Sequence, residues 1–475
     1  MIGRIVALLA LLAFTTMAAA QDKTEPLRLH PDNPHYLLFR GKPAVLITSG
    51  EHYGSVLNLD INYVPYLDEV QSKNLNLTRT FSGTYREVHG SFGITDNTLA
   101  PRNYCSPWAR SNTPGAADGG NKFDLSQWND AYFARLKDFV SQASKRGIVV
   151  EYVLFCPFYE EDLWKINPMN PANNVNGVGN CPRTEVYTLK HQDLLAVHDA
   201  FVRKAVAELN GFDNVYFEIC NEPYFGGVME DWQAHISQTV VETEKNLPNK
   251  HLIAQNIANA GKKVEKPNPL VSIFNYHYAT PPDTVAENYG LNKVISDDET
   301  GFRGKDDVYY RTEGWEFILA GGAIYSNLDY SFTPGHPRGD LRDYKSPGGG
   351  SPELRRSLGA LRDFMNSFDF VRMSPKNSLI KGGTVTAPFQ GAPAQASVTA
   401  RCLAEEGKAY AIYVRGGTQA NLLVEMPAGS YKAEWIDPKT GKVESSDEFQ
   451  HTGGERKLAS PSYSEDMALR IKRIG

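Results

Sequence analysis

Eight short apolar runs recur between residues 44 and 328, with amphipathic stretches between them, and this alternation is what most narrows the folds open to the chain. The runs lie at 44–50, 77–82, 148–155, 215–220, 251–257, 271–278, 293–299 and 323–328. Helical periodicity marks 63–73, where Val64, Leu67 and Val70 share a face, and 130–146, where Phe133, Leu136, Phe139 and Val140 do, with Gly147 as the stop. Further helices are expected at 191–209, 231–247, 310–319 and 352–368, with a weak one near 283–289 after the sixth run. Strand–helix alternation implies a parallel sheet covered by helices. Eight repeats imply closure, so the expected fold is α/β, a (β/α)8 TIM barrel.

The long connections, 83–129, 156–190, 301–309 and 329–351, all follow strands, whereas the returns from helix to strand are short. Decoration of one face only is the pattern of a functional face. Tyr104, Trp108, Phe158, Tyr159 and Trp164 lie in these loops, and disordered insertions are poor in aromatic residues.

The two ends read differently. Arg4, an apolar run over 5–14 and Ala18-Ala19-Ala20 before Gln21 make residues 1–20 a secretory leader, so the mature chain is expected in the periplasm or secreted. Residues 21–373 then hold an N-terminal hairpin (27–45, turning at Pro31-Asp32-Asn33-Pro34) and the barrel. From 374 to 475 short alternating runs at 384–388, 397–402, 409–414, 421–425, 431–436 and 466–471 predict a small antiparallel β-sandwich. No run is long enough to span a bilayer. Loss of Arg4 takes the formal charge from −6 to −7, mild for this size, which argues against nucleic acid or an anionic membrane as partner. Of the five cysteines, Cys220 reads as a small buried hydrophobe. Cys156 and Cys181 flank one loop and could bridge in an exported protein, with Cys105 as an alternative partner. None has metal-ligand spacing with histidine, so no metal site is expected.

The fourth run, Val215-Tyr216-Phe217-Glu218-Ile219-Cys220, passes into Asn221-Glu222-Pro223. A buried strand that ends in a carboxylate and is stopped by proline delivers that carboxylate to a barrel rim. The run resembles the active-site signature of retaining glycoside hydrolases of the large clan that includes family 5, the cellulase-like enzymes. The resemblance implies that Glu222 is the general acid/base and that Asn221 binds the sugar 2-hydroxyl. It also places the nucleophile at the end of the seventh strand, Lys293-Val294-Ile295-Ser296-Asp297-Asp298-Glu299, as Glu299. Alternation puts Asp297 on the side of Glu299, deeper, and Asp298 on the other side; Asp298 is the second candidate.

Carried over in the same way, Arg79 hydrogen-bonds the nucleophile and keeps it ionised, and Glu218 supports Arg79. His277 and Tyr278 stand where relatives carry His-any-Tyr, one residue out of step. Trp108, Tyr159 and Trp164 are expected on the barrel face that carries Glu222, stacking on sugar C–H faces. A raised pKa is expected for Glu222 beside a charged Glu299. Two departures bear on the sugar: strand eight, Tyr325-Ser326-Asn327-Leu328-Asp329, lacks the tryptophan platform, and strand three lacks the cellulase histidine. The sandwich, through Tyr431-Lys432-Ala433-Glu434-Trp435 and Asp437-Pro438, resembles a module named for collagen binding that packs against some barrels of this clan. The expectation is an exported retaining glycosidase of poly- or oligosaccharides that needs no cofactor. Its rival is a non-catalytic carbohydrate-binding surface protein on the same barrel, which would need neither carboxylate.

Overall fold

The computed structural model describes residues 25–94, 99–386 and 399–475; the expected leader at 1–20 lies outside them, as do 387–388 and 397–398 of two expected strands. Eight parallel strands form the central sheet: β1 (Leu46–Gly50), β2 (Leu77–Phe81), β3 (Val149–Phe155), β4 (Val215–Cys220), β5 (Ile253–Asn259), β6 (Ile273–His277), β7 (Val294–Thr300) and β8 (Ile324–Leu328). Their order is β1-β8-β7-β6-β5-β4-β3-β2. Among the described residues no backbone ladder joins β1 to β2. Asn76, one residue before β2, fills the seam: its Nδ2 donates to Val45 O at 2.9 Å and its Oδ1 accepts from Ile47 N at 2.9 Å. Buried backbone groups need partners, and here a side-chain amide supplies them.

Helices follow in sequence: α1 (Tyr63–Ser72), α2 (Asp130–Lys145), α3 (Gln192–Leu209), α4 (Glu230–Glu244), α5 (Asp283–Asn288), α6 (Asp307–Leu319) and α7 (Pro352–Asn366). Asn62 caps α1 through Val64 N, and Ser351 caps α7 through Leu354 N, with a proline in the first turn. No helix was expected between 257 and 271, and among the described residues none separates β5 from β6. The segment Gly261-Lys262-Lys263-Val264-Glu265-Lys266-Pro267-Asn268-Pro269 carries too few apolar residues for a packed face. It is instead tied down by Asn288, which donates to Lys262 O (3.0 Å) and accepts from Val264 N (2.8 Å).

The long loop after β2 holds an antiparallel hairpin (Trp108–Pro114 and Asn121–Trp128) that the sequence reading did not pick out. It pairs with the loop after β3, where Phe123 N donates to Asn173 O at 2.7 Å and Val175 N to Phe123 O at 2.9 Å. At the opposite end a three-stranded sheet (Arg28–Leu29, Leu37–Phe39, Lys42–Ala44) closes the barrel floor, fixed by Leu27 N to Asp213 O and an Arg40–Asp213 ion pair.

The C-terminal part is two antiparallel sheets of six and three strands. Besides the two-residue Ser374–Pro375, two of these strands, Val443–His451 and Gly454–Ala459, were not expected. They are largely exposed and polar, so no alternation of apolar residues marks them. The sandwich docks on α6, where Trp315 stacks on Tyr413 (ring centroids 5.3 Å apart), Arg311 pairs with Asp466 at 2.9 Å and Glu316 with Arg415 at 2.7 Å. On its barrel side the same helix offers Glu313 to the Thr300 hydroxyl at 2.9 Å, one residue after Glu299. No described helix is long and apolar enough to cross a membrane.

Candidate active site

Arg79, fully buried on β2, organises the centre of the barrel. Its Nη1 donates to Glu299 Oε2 at 2.7 Å, and its Nη2 donates to Glu218 Oε2 at 2.7 Å and to Asn221 Oδ1 at 2.6 Å. Asp298 and Glu151 approach its Nε at 3.4 and 3.8 Å. Burial works against the guanidinium charge, but Glu218, Asp298, Glu299 and Glu151 outweigh it and hold Arg79 firmly protonated. One cation does not balance four buried carboxylates, so the cluster retains protons. Burial, with the charge of Glu218, pushes the Glu151 carboxyl up to about 7. Burial, with the charge of Glu151, pushes Asp298 well above the carboxylate range.

Glu222 leaves the end of β4 with φ +38°, a left-handed conformation that a non-glycine residue adopts at a cost. Its Oε2 accepts from the Tyr159 hydroxyl at 2.7 Å, and its Oε1 lies 3.1 Å from His277 Nδ1. Asn221, bonded to Arg79, also donates to the Tyr159 oxygen at 2.9 Å. Tyr278, with φ +54°, donates to Glu299 Oε1 at 3.1 Å. A carboxylate oxygen from each of Glu222 and Glu299 and a ring nitrogen of His277 lie within 4.8 Å of one another. His277, Glu218 and Asp298 form a second such group. Arg79, already donating into both groups, supplies the positive charge that a metal ion would bring, so these residues suit the guanidinium better than a metal ion.

Three expectations need correction. Asp298, not Asp297, shares the interior with Glu299: the β6–β7 register slips between Tyr276, opposite Asp297, and His277, opposite Glu299. The bulge leaves Asp298 as the extra residue and breaks the two-residue alternation. Asp297 faces outward, where burial and the charge of Glu313 on α6 push its carboxyl far up. Second, the Glu222 carboxyl is not raised. Burial alone would raise it, but His277, the Tyr159 hydroxyl and Arg79 together hold it below the usual carboxylate range. His277 moves the other way: burial opposes its charge, yet Glu299 and the hydrogen bond to Glu222 raise it above the ordinary histidine value.

Third, the two tryptophans do not line the cavity. Trp108, 1 % exposed, packs against Phe201 of α3, and Trp164, 4 % exposed, against Phe158. Their large apolar areas are buried under the loops, where they hold loop to barrel. The cavity between Glu222 and Glu299 is walled instead by Tyr53, Tyr85, Tyr159, Tyr278, Tyr330 and the rings of Phe92 and Phe302. Tyr53 and Tyr330 sit two or three residues beyond the ends of β1 and β8, a position that could have marked them in the sequence. His52 beside them is also new: burial and Arg79 push its ring down to about 3, and its Nε2 lies 2.9 Å from Asn327 O. All five cysteines are free thiols, so none of the bridges open to Cys105, Cys156 and Cys181 is formed; Cys156 lies 3.6 Å from Asn221 Nδ2.

Comparison with known proteins places this geometry. A family described as a domain of unknown function, DUF6298, matches residues 86–264, which include Glu222 but neither Arg79 nor Glu299. No curated protein matches in sequence. Among solved structures, a protein of Bacteroides vulgatus ATCC 8482 assigned provisionally to the glycoside hydrolases superposes with a TM-score of 0.66 at 15% identity, over 96% of this chain and 84% of that one. A glycoside hydrolase of family 5 from the same organism gives 0.61 at 13% identity, over 94% of both chains. A third structure, a glycoside hydrolase, gives 0.61 at 14% identity, over 94% and 97%. The chain therefore has the (β/α)8 fold of family 5 glycoside hydrolases, with antiparallel sheets added at its C-terminus.

Proposed function

We propose that this protein is an exported glycoside hydrolase that cleaves O-glycosidic bonds with retention of configuration. The observation that carries the reading is the pair Glu222 and Glu299, whose oxygens approach within 4.8 Å across the cavity. Retaining enzymes hold their carboxyl groups about 5–5.5 Å apart, and inverting ones leave room for a water. Glu299, ion-paired to Arg79, attacks the anomeric carbon. The leaving oxygen takes its proton from Glu222, which shares that proton with His277. Water then attacks the glycosyl-enzyme, Glu222 receives the water's proton, and Glu299 is released. Asn221, fixed by Arg79 and Tyr159, is placed to bind the sugar's 2-hydroxyl. A non-catalytic sugar-binding protein would have no use for a cluster of buried carboxylates around one guanidinium, which costs stability.

The test is trapping. A panel of activated 2-deoxy-2-fluoro glycosides should inactivate the protein, and mass spectrometry should find the sugar on the peptide holding Glu299. A label on Glu222, or inactivation with no covalent sugar, would sink the assignment.

A further inference from the structure

We propose that an exposed aromatic ledge beside Glu222 binds the leaving group, and that this group is an apolar aglycone carrying an aromatic ring rather than a second sugar. The inference rests on the glycosidase reading above and narrows the expected oligosaccharide substrate. The ledge is continuous: Phe92 meets Tyr159 edge-on at 5.3 Å, Tyr159 meets Phe225 at 5.7 Å, and Phe225 meets Tyr224 at 5.0 Å. It lies on the acid side of the cavity, because Tyr159 donates to Glu222 Oε2 at 2.7 Å and the Tyr224 hydroxyl lies 3.4 Å from Oε1. The oxygen that Glu222 protonates must come within hydrogen-bond reach of it. Whatever hangs from that oxygen lands on these rings.

Two features are unfavourable in the free protein. Phe92 and Phe225 are 46 % and 43 % exposed, so large apolar faces stand in water. Phe92 also has φ +55°, a conformation that strains a bulky side chain. Phe302, across the cavity, repeats both features at 42 % exposure and φ +58°. Phenyl rings held outward on strained backbone at a cavity mouth are explained by a ligand that covers them.

The ledge is also fixed in place. Gly226 and Gly227 follow Phe225 with φ +64° and +80°, and a Cβ on them would lie 2.7 Å from Pro157 and 2.3 Å from Thr184 O. This close approach clamps the Tyr224–Phe225 turn onto the loop after β3, so little ordering remains to be done on binding.

The chemistry separates an aromatic aglycone from a sugar. The phenyl rings carry no polar atom, and the Tyr224 hydroxyl is already engaged by Asn259 and Glu222. A sugar leaving group could lay only its C–H face on these rings and would keep its hydroxyls in water, so it would cover less of Phe92 and Phe225 than a flat apolar ring would. An aromatic ring loses nothing there and gains edge and face contacts with Phe92 and Phe225.

The first arm of the test uses 4-methylumbelliferone, with no sugar attached, in equilibrium dialysis against the full chain. Phe92→Ala and Phe225→Ala should together weaken binding by about tenfold, the range expected for losing two ring contacts. The remote Val443→Ala should leave it unchanged. Equal binding by the double variant and the wild type overturns the ledge. The second arm uses benzyl and methyl glycosides of whichever sugar the protein hydrolyses; their alcohols are similarly poor leaving groups, so activation is matched. The wild type should favour benzyl in kcat/KM by about tenfold, and the double variant should bring the ratio near one. A wild-type ratio near one, or faster turnover of a disaccharide than of the benzyl glycoside, overturns the aglycone class. No turnover of any glycoside, with dialysis binding intact, overturns the glycosidase reading and leaves an aromatic-ligand site.

Discussion

His277 presents Nδ1 to Glu222 Oε1 at 3.1 Å and Nε2 to Asp298 Oδ1 at 3.6 Å, so one ring spans the proposed acid and the buried carboxyl beneath the cavity. Glu299 and Glu222 raise His277 while His277 lowers Glu222, so under the proposed reading the acid's proton is drawn toward the ring. His277→Gln should remove that pull: the Glu222 carboxyl should titrate higher, and the pH profile of kcat/KM should move, while the fold persists. An unchanged profile in a folded variant would show that His277 only fills space.

Arg79→Met should be the most damaging single change in the barrel. It leaves Glu218, Glu299 and their neighbours without their cation, and breaking a buried ion pair costs about 3–5 kcal/mol. Denaturant titration should show this loss. Arg79→Met with wild-type stability would mean that the cluster is neutral and that Arg79 matters little.

The roles of the two glutamates separate by azide rescue. Glu222→Ala should lose about 10²–10⁴-fold on substrates with poor leaving groups, yet still form the glycosyl-enzyme from activated aryl glycosides. Azide should then give a glycosyl azide of retained configuration. Glu299→Ala should be inactive with every substrate, and azide should give the inverted product. The opposite stereochemistry in the two variants would reverse the roles; normal turnover by Glu299→Ala would point to Asp298.

Glu151 gives stability a pH signature. Its folded value, about 7, lies above that of the unfolded chain, about 4.3. The folded state therefore binds a proton that the unfolded state has lost. This contribution is complete below about pH 4.3 and disappears as pH rises through about 7. Thermal melts should show Glu151→Gln flatter than wild type across this window. A steeper slope in the variant would mean that Glu151 is charged in the fold.

Asn76→Ala should open the seam between β1 and β2. It strips partners from Val45 O and Ile47 N together, at about 1–3 kcal/mol for each buried group left unsatisfied. Hydrogen exchange should quicken at Ile47 before it does so at β4, and uniform exchange would argue that the barrel closes without it.

Much of this arrangement was legible because strand and helix periods differ and because barrels offer side chains at strand ends. Val215–Cys220 predicted where Glu222 emerges, and the resemblance to family 5 enzymes, not the local pattern, pointed to Arg79 on the second strand. What escaped depends on partners distant in sequence. The bulge at Asp298 arises from pairing with β6, and no local property of Asp297-Asp298-Glu299 announces it. The state of Glu222 was misread because its nearest influence is His277, 55 residues away in the chain, and not only Glu299. Trp108 and Trp164 resembled subsites because a sequence does not distinguish an aromatic residue that covers a ligand from one that covers the protein itself.

The position of α6 bears on how such a chain can be cut or recombined. One side of this helix is bolted to the sandwich through Trp315 and Arg311, and the other holds Thr300, next to Glu299, through Glu313. The sandwich thus behaves as a buttress for the wall that carries the proposed nucleophile, not as a detachable appendage. A barrel excised before Ser374 would present Trp315, Arg311 and Glu316 to water with their counterparts gone. A chimera that keeps its β7 geometry must inherit helix and sandwich as one unit.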